Sequence, residues 1–175
     1  MESQRHSLFF MGLKDYLETS EERDLGKLFF KMGMVFNESA PSSLGTIISF
    51  WLLGIGGSLK GKEDADKNEM KIALENGISK LKERANSKEN EKTILDSLSP
   101  ATKVFEKNVD EEKTISEILK ETYEAALKGS EATKNMMAVH GRAAYHGEKT
   151  IGHVDGGSYV GKLIFEGIYN YYKEK

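Results

Sequence analysis

The sequence predicts an all-α fold: an antiparallel helical bundle or barrel of about six or seven amphipathic helices, forming one domain over residues 1–175. Three observations carry this expectation. Apolar residues recur at helical spacing in stripes that return roughly every 20 to 30 residues without repeating one another's sequence. No stretch alternates apolar and polar side chains as a half-buried strand does. The segments between stripes are short and either polar or glycine-rich, which suits antiparallel neighbours.

Leu8, Phe9, Leu13, Tyr16 and Leu17 define a first short helix. Thr19 and Ser20 before two glutamates read as a start signal for a second, whose stripe is Leu25, Leu28, Phe29, Met32, Val35 and Phe36. The polar loop from Asn37 to Thr46 runs straight into the apolar segment Ile47–Leu53, a buried helix, and Gly54 to Asn68 reads as the helix end followed by an exposed linker. Met70, Ala73, Leu74, Gly77, Ile78 and Leu81 form the next stripe, and the charged run from Lys82 to Glu91 reads as a solvated loop or lid.

Ile94, Leu95, Leu98, Ala101, Val104 and Phe105 give a further helix in which Pro100 marks a kink or a restart. Asp110, Glu111 and Glu112 read as the first turn of a long helix running through Ile118 and Ala126 to Met137 and ended by His140 and Gly141, bent or divided at Gly129 and Ser130. Val160, Leu163, Ile164, Gly167, Ile168 and Tyr171 mark a closing helix from Ser158 to Tyr172.

Composition narrows the classes of function. The longest apolar run, Ile47 to Ile55, is broken by Ser49 and Gly54 and is far shorter than the roughly 20 residues of a membrane span, so no membrane segment is expected. A net charge of −3 with interspersed signs gives no general attraction to nucleic acid, and any phosphate binding must be local. The chain has no cysteine and shows no signal peptide after Met1, which points to a cytoplasmic protein. His140, His146 and His153 lack the i, i+4 spacing of a helical metal site, so no metal ligand is assigned.

Function is expected in the stretch from Gly141 to Ser158, which is too long and glycine-rich for a plain connector. Its glycines allow close backbone approach to a ligand, and Arg142 supplies a planar fork suited to phosphate oxygens. Ser42, Ser43, Gly45 and Thr46, just ahead of a buried helix, form a second phosphate-friendly place. Ordinary capping by Ser42 or Ser43 is the competing reading there.

The run Gly129–Lys134, followed by Gly141-Arg-Ala, Gly147-Glu-Lys-Thr-Ile-Gly-His153 and Asp155-Gly-Gly, resembles the C-terminal signature of DhaL, the nucleotide-binding subunit of dihydroxyacetone kinases. Ala40-Pro-Ser-Ser-Leu-Gly-Thr46 is similar to that family's phosphate loop, and Glu91-Lys-Thr-Ile-Leu-Asp-Ser97 to its Asp-Lys-Thr segment; the resemblance runs from about Asp24 to the C-terminus. It implies a helical barrel with ADP or ATP at one end and phosphoryl transfer to dihydroxyacetone or a related small ketose. The phosphates would lie against Ser42, Ser43, Gly45 and Thr46, with Lys92 and Thr93 covering the nucleotide. Arg142 would face the transferring phosphate as the catalytic residue, and Asp155 with Gly156 would border the adenine end. The implied partners are a dihydroxyacetone-binding kinase subunit and, in phosphotransferase-linked versions, a phosphocarrier protein; a homo-oligomer is also open.

The family also binds magnesium through the aspartates of a Gly-Asp-Gly-Asp-His-Gly type motif. Its counterpart here is Glu2-Ser-Gln-Arg-His-Ser7, where Ser3 and Arg5 stand in the aspartates' places and only His6, assigned to cofactor binding, is kept. A hard divalent cation needs carboxylate oxygens. A catalytically degenerate relative acting as a binding or regulatory protein is therefore the alternative, and a true start upstream of Met1, supplying the aspartates, is a third reading.

Overall fold

The computed structural model of the chain describes residues 2–39 and 42–175, with side chains from residue 11 onward. His6 and Pro41 thus lie outside the described side chains. The all-α expectation holds: among the described residues there are eight α-helices and no strand. The chain forms two compact units, Met1–Asn86 and Ser87–Lys175.

The first unit contains α1 (Glu2–Thr19), α2 (Leu25–Ser39), α3 (Ser43–Ser58) and α4 (Lys67–Ala85). Thr19 belongs to the end of α1, where its hydroxyl donates to the Asp15 carbonyl, and the start of α2 is set instead by Asp24, which accepts from Lys27 N–H. Asp24 also accepts the N–H of Gly61, at 3.1 and 3.2 Å to its two oxygens, and so ties α2 to the turn after α3.

The central helix is α3, with Ile48, Trp51, Leu52 and Ile55 all buried. Contrary to expectation it does not stop at Gly54 but continues through Gly56 and Gly57 to Ser58. The reason lies in packing across helices. A Cβ on Gly54 would stand 2.7 Å from the Asn76 carbonyl and Gly77 Cα of α4, and one on Gly56 would stand 2.9 Å from the Gly26 carbonyl of α2. Glycine here lets two neighbours approach the same helix, and that gain offsets its weak helix propensity. Asp66 then opens α4 with a complete capping box closed by Glu69.

The second unit contains α5 (Leu95–Asp110), α6 (Ile115–Ala132), the one-turn α7 (Gly141–Ala144) and α8 (Gly156–Lys173), with 3-10 turns at Thr133–Asn135 and Gly147–Thr150. Helices α5, α6 and α8 pack on one another around Leu95, Leu98, Ala101, Phe105, Ile118, Ala126, Val160 and Phe165, all buried. Pro100 sits inside an unbroken α5. Asp110 closes α5 instead of opening α6: the start of α6 is Thr114, whose hydroxyl caps Glu117 N–H while the Glu117 carboxylate returns to Thr114 N–H. Gly129 and Ser130 do not divide α6, which ends at Ala132, short of the expected Met137. The charged run from Lys82 to Glu91 begins within α4, which ends at Ala85, and is only partly solvated beyond it, since Ser87 is buried.

Candidate functional site

In the second unit the chain between α6 and α8 is held from inside. Thr133 Oγ1 donates to the Ser130 carbonyl at 2.6 Å and accepts Asp155 N–H at 2.9 Å, so the end of α6 is bound to the start of α8. Asp155 caps α8 by accepting Ser158 N–H at 2.6 Å, and Ser158 Oγ lies 3.1 Å from Ser130 Oγ. Gly152 N–H donates to the Lys134 carbonyl at 2.7 Å, and Ala138 N–H donates to Thr150 Oγ1 at 3.0 Å. The long loop is therefore an ordered structure with its own polar interior, as its length suggests.

A tight turn, residues 87–93, grips this loop. Asn90 and Lys92 have positive φ, 69° and 60°, and the buried Asp96 carboxylate stabilises the turn by accepting Asn90 N–H at 2.5 Å and Thr93 N–H at 2.7 Å. The Glu91 carboxylate meets His140 Nε2 at 2.6 Å and accepts Lys88 N–H at 2.7 Å, which holds its pKa below the usual carboxylate value. The Lys92 side chain turns inward to main-chain carbonyls of the loop. Burial lowers its pKa, opposed by the charge of Asp155. Burial raises the pKa of Asp155 in turn, helped by the nearby charge of Asp96 and opposed by the Ser158 N–H.

The expected site residues occupy distinct settings. Arg142 is exposed on α7 and forms no ion pair among the described residues. Gly156 is exposed at the first position of α8, next to the half-buried Asp155. Thr93 is half-buried, and its hydroxyl accepts Leu95 N–H at 3.2 Å. Lys92 is 6 % exposed and its ammonium is fully engaged within the protein, so this geometry does not present it to a ligand. In the first unit, Ser42 Oγ accepts Gly45 N–H at 3.1 Å, the capping arrangement. Ser43 and Thr46 are exposed, Gly45 is buried, and the Thr46 hydroxyl donates to Asn37 Oδ1 at 3.0 Å. Asp96, Thr133 and Glu91 gain their roles only from the structure. Their signals in the sequence are weak: an acid in the first turn of α5, a threonine just past α6, and an acid beside Lys92.

Among the described residues no group of three or more His, Asp or Glu side chains could hold a metal ion. Among them, too, no helix is long and apolar enough to cross a membrane.

The pattern of the DAK2 domain family matches residues 7–170, and the chain belongs to that family. Over 156 residues, 89 % of its length, the chain is 27 % identical to the ADP-binding subunit DhaL of PEP-dependent dihydroxyacetone kinase 1 from Listeria innocua, covering 73 % of that protein. It is 30 % identical over 150 residues, 79 % of its length, to a probable dihydroxyacetone kinase of Dictyostelium discoideum, of which it spans 23 %. Among solved structures, the dihydroxyacetone kinase of C. freundii superposes with a TM-score of 0.71 at 19 % identity, covering 96 % of this chain and 28 % of that one, which shows the shared fold. That kinase has also been seen in complex with AMP-PNP and Mg2+, with a TM-score of 0.65.

Proposed function

We propose that the chain is the nucleotide-binding subunit of a dihydroxyacetone kinase-type phosphotransferase, holding ADP or ATP for phosphoryl transfer to a small ketose. The observation that carries this reading is the family match over nearly the whole chain, together with a relative named as an ADP-binding subunit. Those names favour it over a catalytically silent paralogue. Residues 1–175 would then serve as one functional domain, in the cytoplasm, working with a dihydroxyacetone-binding subunit and, where the donor is not ATP, a phosphocarrier protein.

In the first unit, the start of α3 fits an anion: a helix N-terminus with hydroxyls at Ser42, Ser43 and Thr46 and a buried glycine at 45. These residues are proposed to take phosphate oxygens. In the second unit, Arg142 carries an exposed guanidinium on a one-turn helix, suited to a developing phosphoryl charge, and Thr93, Asp155 and Gly156 are proposed to border the nucleotide. Lys92 acts through the loop it holds. His6 is retained as a proposed cofactor contact. The described side chains do not supply a magnesium shell, so no step is assigned through that ion.

Calorimetric titration with ADP and ATP, with and without magnesium, tests the binding step; absence of heat with either nucleotide in the presence of magnesium would sink it. Mixing the chain with a dihydroxyacetone-binding subunit, with ATP or a phosphorylated phosphocarrier as donor, tests transfer. Turnover is expected, and Arg142→Ala should lower kcat by about 10²-fold or more if it stabilises the transferring group.

A further inference from the structure

The ammonium of Lys92 lies within hydrogen-bond distance of four main-chain carbonyl oxygens: Thr133 at 2.9 Å, Met136 at 3.1 Å, Thr150 at 2.6 Å and His153 at 2.7 Å. An ammonium has three N–H donors, so four acceptors exceed what directed hydrogen bonds can satisfy. The arrangement is that of a small monovalent-cation site, in which carbonyl oxygens replace a hydration shell, with the cation supplied on a lysine stem. The acceptors come from two places that need a cation. Thr133 and Met136 lie just past the C-terminus of α6, and Thr150 and His153 lie at and beyond the end of a 3-10 turn, where the helix dipole leaves negative charge; Thr133 and Thr150 each also accept one main-chain N–H, from Met136 and His153.

We propose that Lys92 is an internal cation that fastens the loop 133–155 to the turn 87–93, making it a positioning residue for Arg142 and Asp155 and not a ligand contact. Its neighbour reinforces the attachment: the Glu91 carbonyl accepts Val139 N–H at 3.4 Å, and the Glu91 carboxylate holds His140. Burial opposes the charged form of Lys92 and the charge of Asp155 favours it, while the four carbonyls give the ammonium its hydrogen-bond acceptors. The fastening stands on this geometry alone, whereas its consequence for nucleotide binding rests on the function proposed above.

Trypsin reads the loop directly, because Arg142 and Lys149 are both exposed within it. In Lys92→Met, which keeps the stem and removes the charge, and in Lys92→Ala, cleavage at these two sites should accelerate at least tenfold while the far-ultraviolet circular dichroism stays that of the native chain. Added n-propylammonium replaces the atoms missing from Lys92→Ala and should restore slow cleavage, whereas n-propanol, of the same shape without charge, should not. In the native chain, reductive methylation should spare Lys92 while Lys149 reacts, a measurement that holds even if the variants fold poorly. The proposal is overturned if Lys92→Met is cut as slowly as the native chain, if n-propanol rescues as well as n-propylammonium, or if Lys92 is methylated as fast as Lys149.

ADP affinity separates the two readings. Loss in Lys92→Ala with recovery on n-propylammonium supports positioning, and native affinity in a variant whose loop is freely cut overturns it. A native chain that binds no ADP yet shows the cation-specific protection defeats the nucleotide reading and leaves the fastening intact.

Discussion

Gly129 on α6 lies directly against the main-chain carbonyl of Asp96 on α5: a Cβ at position 129 would overlap that oxygen and stand 2.9 Å from Pro100 Cγ. Pro100 is four residues beyond Asp96 and brings no N–H, so this carbonyl has no partner from its own helical ladder, and α6 packs its bare backbone against it. Gly129→Ala should therefore destabilise the chain by about 1–3 kcal/mol through overpacking, although alanine alone would favour the helix. Gly167 in α8 has nothing within 4 Å of an added Cβ, and Gly167→Ala should stabilise by about 0.5–1 kcal/mol. Urea unfolding midpoints that move in the same direction for both variants would contradict this account.

The turn that carries Lys92 depends on one carboxylate. Asp96 accepts Asn90 N–H and Thr93 N–H with its two different oxygens. Asparagine has only one acceptor oxygen, so Asp96→Asn leaves one of these N–H groups without its partner, at a cost of about 1–3 kcal/mol. Amide hydrogen exchange at Asn90 and Thr93 should speed up in the variant more than at Leu98 in the core of α5. Equal protection in both proteins would show that the carboxylate does not hold the turn.

The helical stripes are legible because each is a local pattern: Leu25 to Phe36 and Met70 to Leu81 predict α2 and α4 from spacing alone. Gly54 to Gly57 mislead for the same reason, since glycine reads locally as a stop, while its partners Gly26 and Asn76 lie on other helices. Asp110 to Glu112 read as a helix start because acids favour a first turn, but the capping box of Thr114 with Glu117 sets the start of α6 beyond them. Lys92 reads as a cofactor contact because its segment is similar to the Asp-Lys-Thr segment of the DhaL family. Its acceptors are carbonyls 41 to 61 residues away, and main-chain oxygens leave no trace in a side-chain pattern.

Capping and phosphate binding at the start of α3 can be separated by comparing Ser42 with Ser43. Ser42 Oγ is committed to Gly45 N–H, so Ser42→Ala should cost about 1 kcal/mol of stability, and Ser42→Gly only a few tenths. Ser43 is exposed on the first turn. If it takes a phosphate oxygen, Ser43→Ala should weaken ADP binding about tenfold, the loss of one charge-assisted hydrogen bond, without moving the unfolding midpoint. Calorimetry and thermal unfolding on the same samples check the pair, and an unchanged ADP affinity in Ser43→Ala would leave the hydroxyl with no part in binding.

Asp155 makes stability depend on pH in a direction opposite to most carboxylates. Burial raises its pKa above the ordinary 3.8, so between that value and the raised one the folded chain holds a proton that the unfolded chain has lost. The contribution of this residue to stability is then fully present below the unfolded pKa and declines as pH rises through the folded value. Asparagine keeps an acceptor for Ser158 N–H and is as good an N-cap, yet has no charge to bury. Asp155→Asn should match the native chain in acid and become the more stable of the two as pH rises toward neutrality. Denaturant titrations at a series of pH values give the difference directly. If Asp155→Asn instead loses ground to the native chain on going from acid to neutral pH, the charged carboxylate is stabilised, not penalised, where it sits.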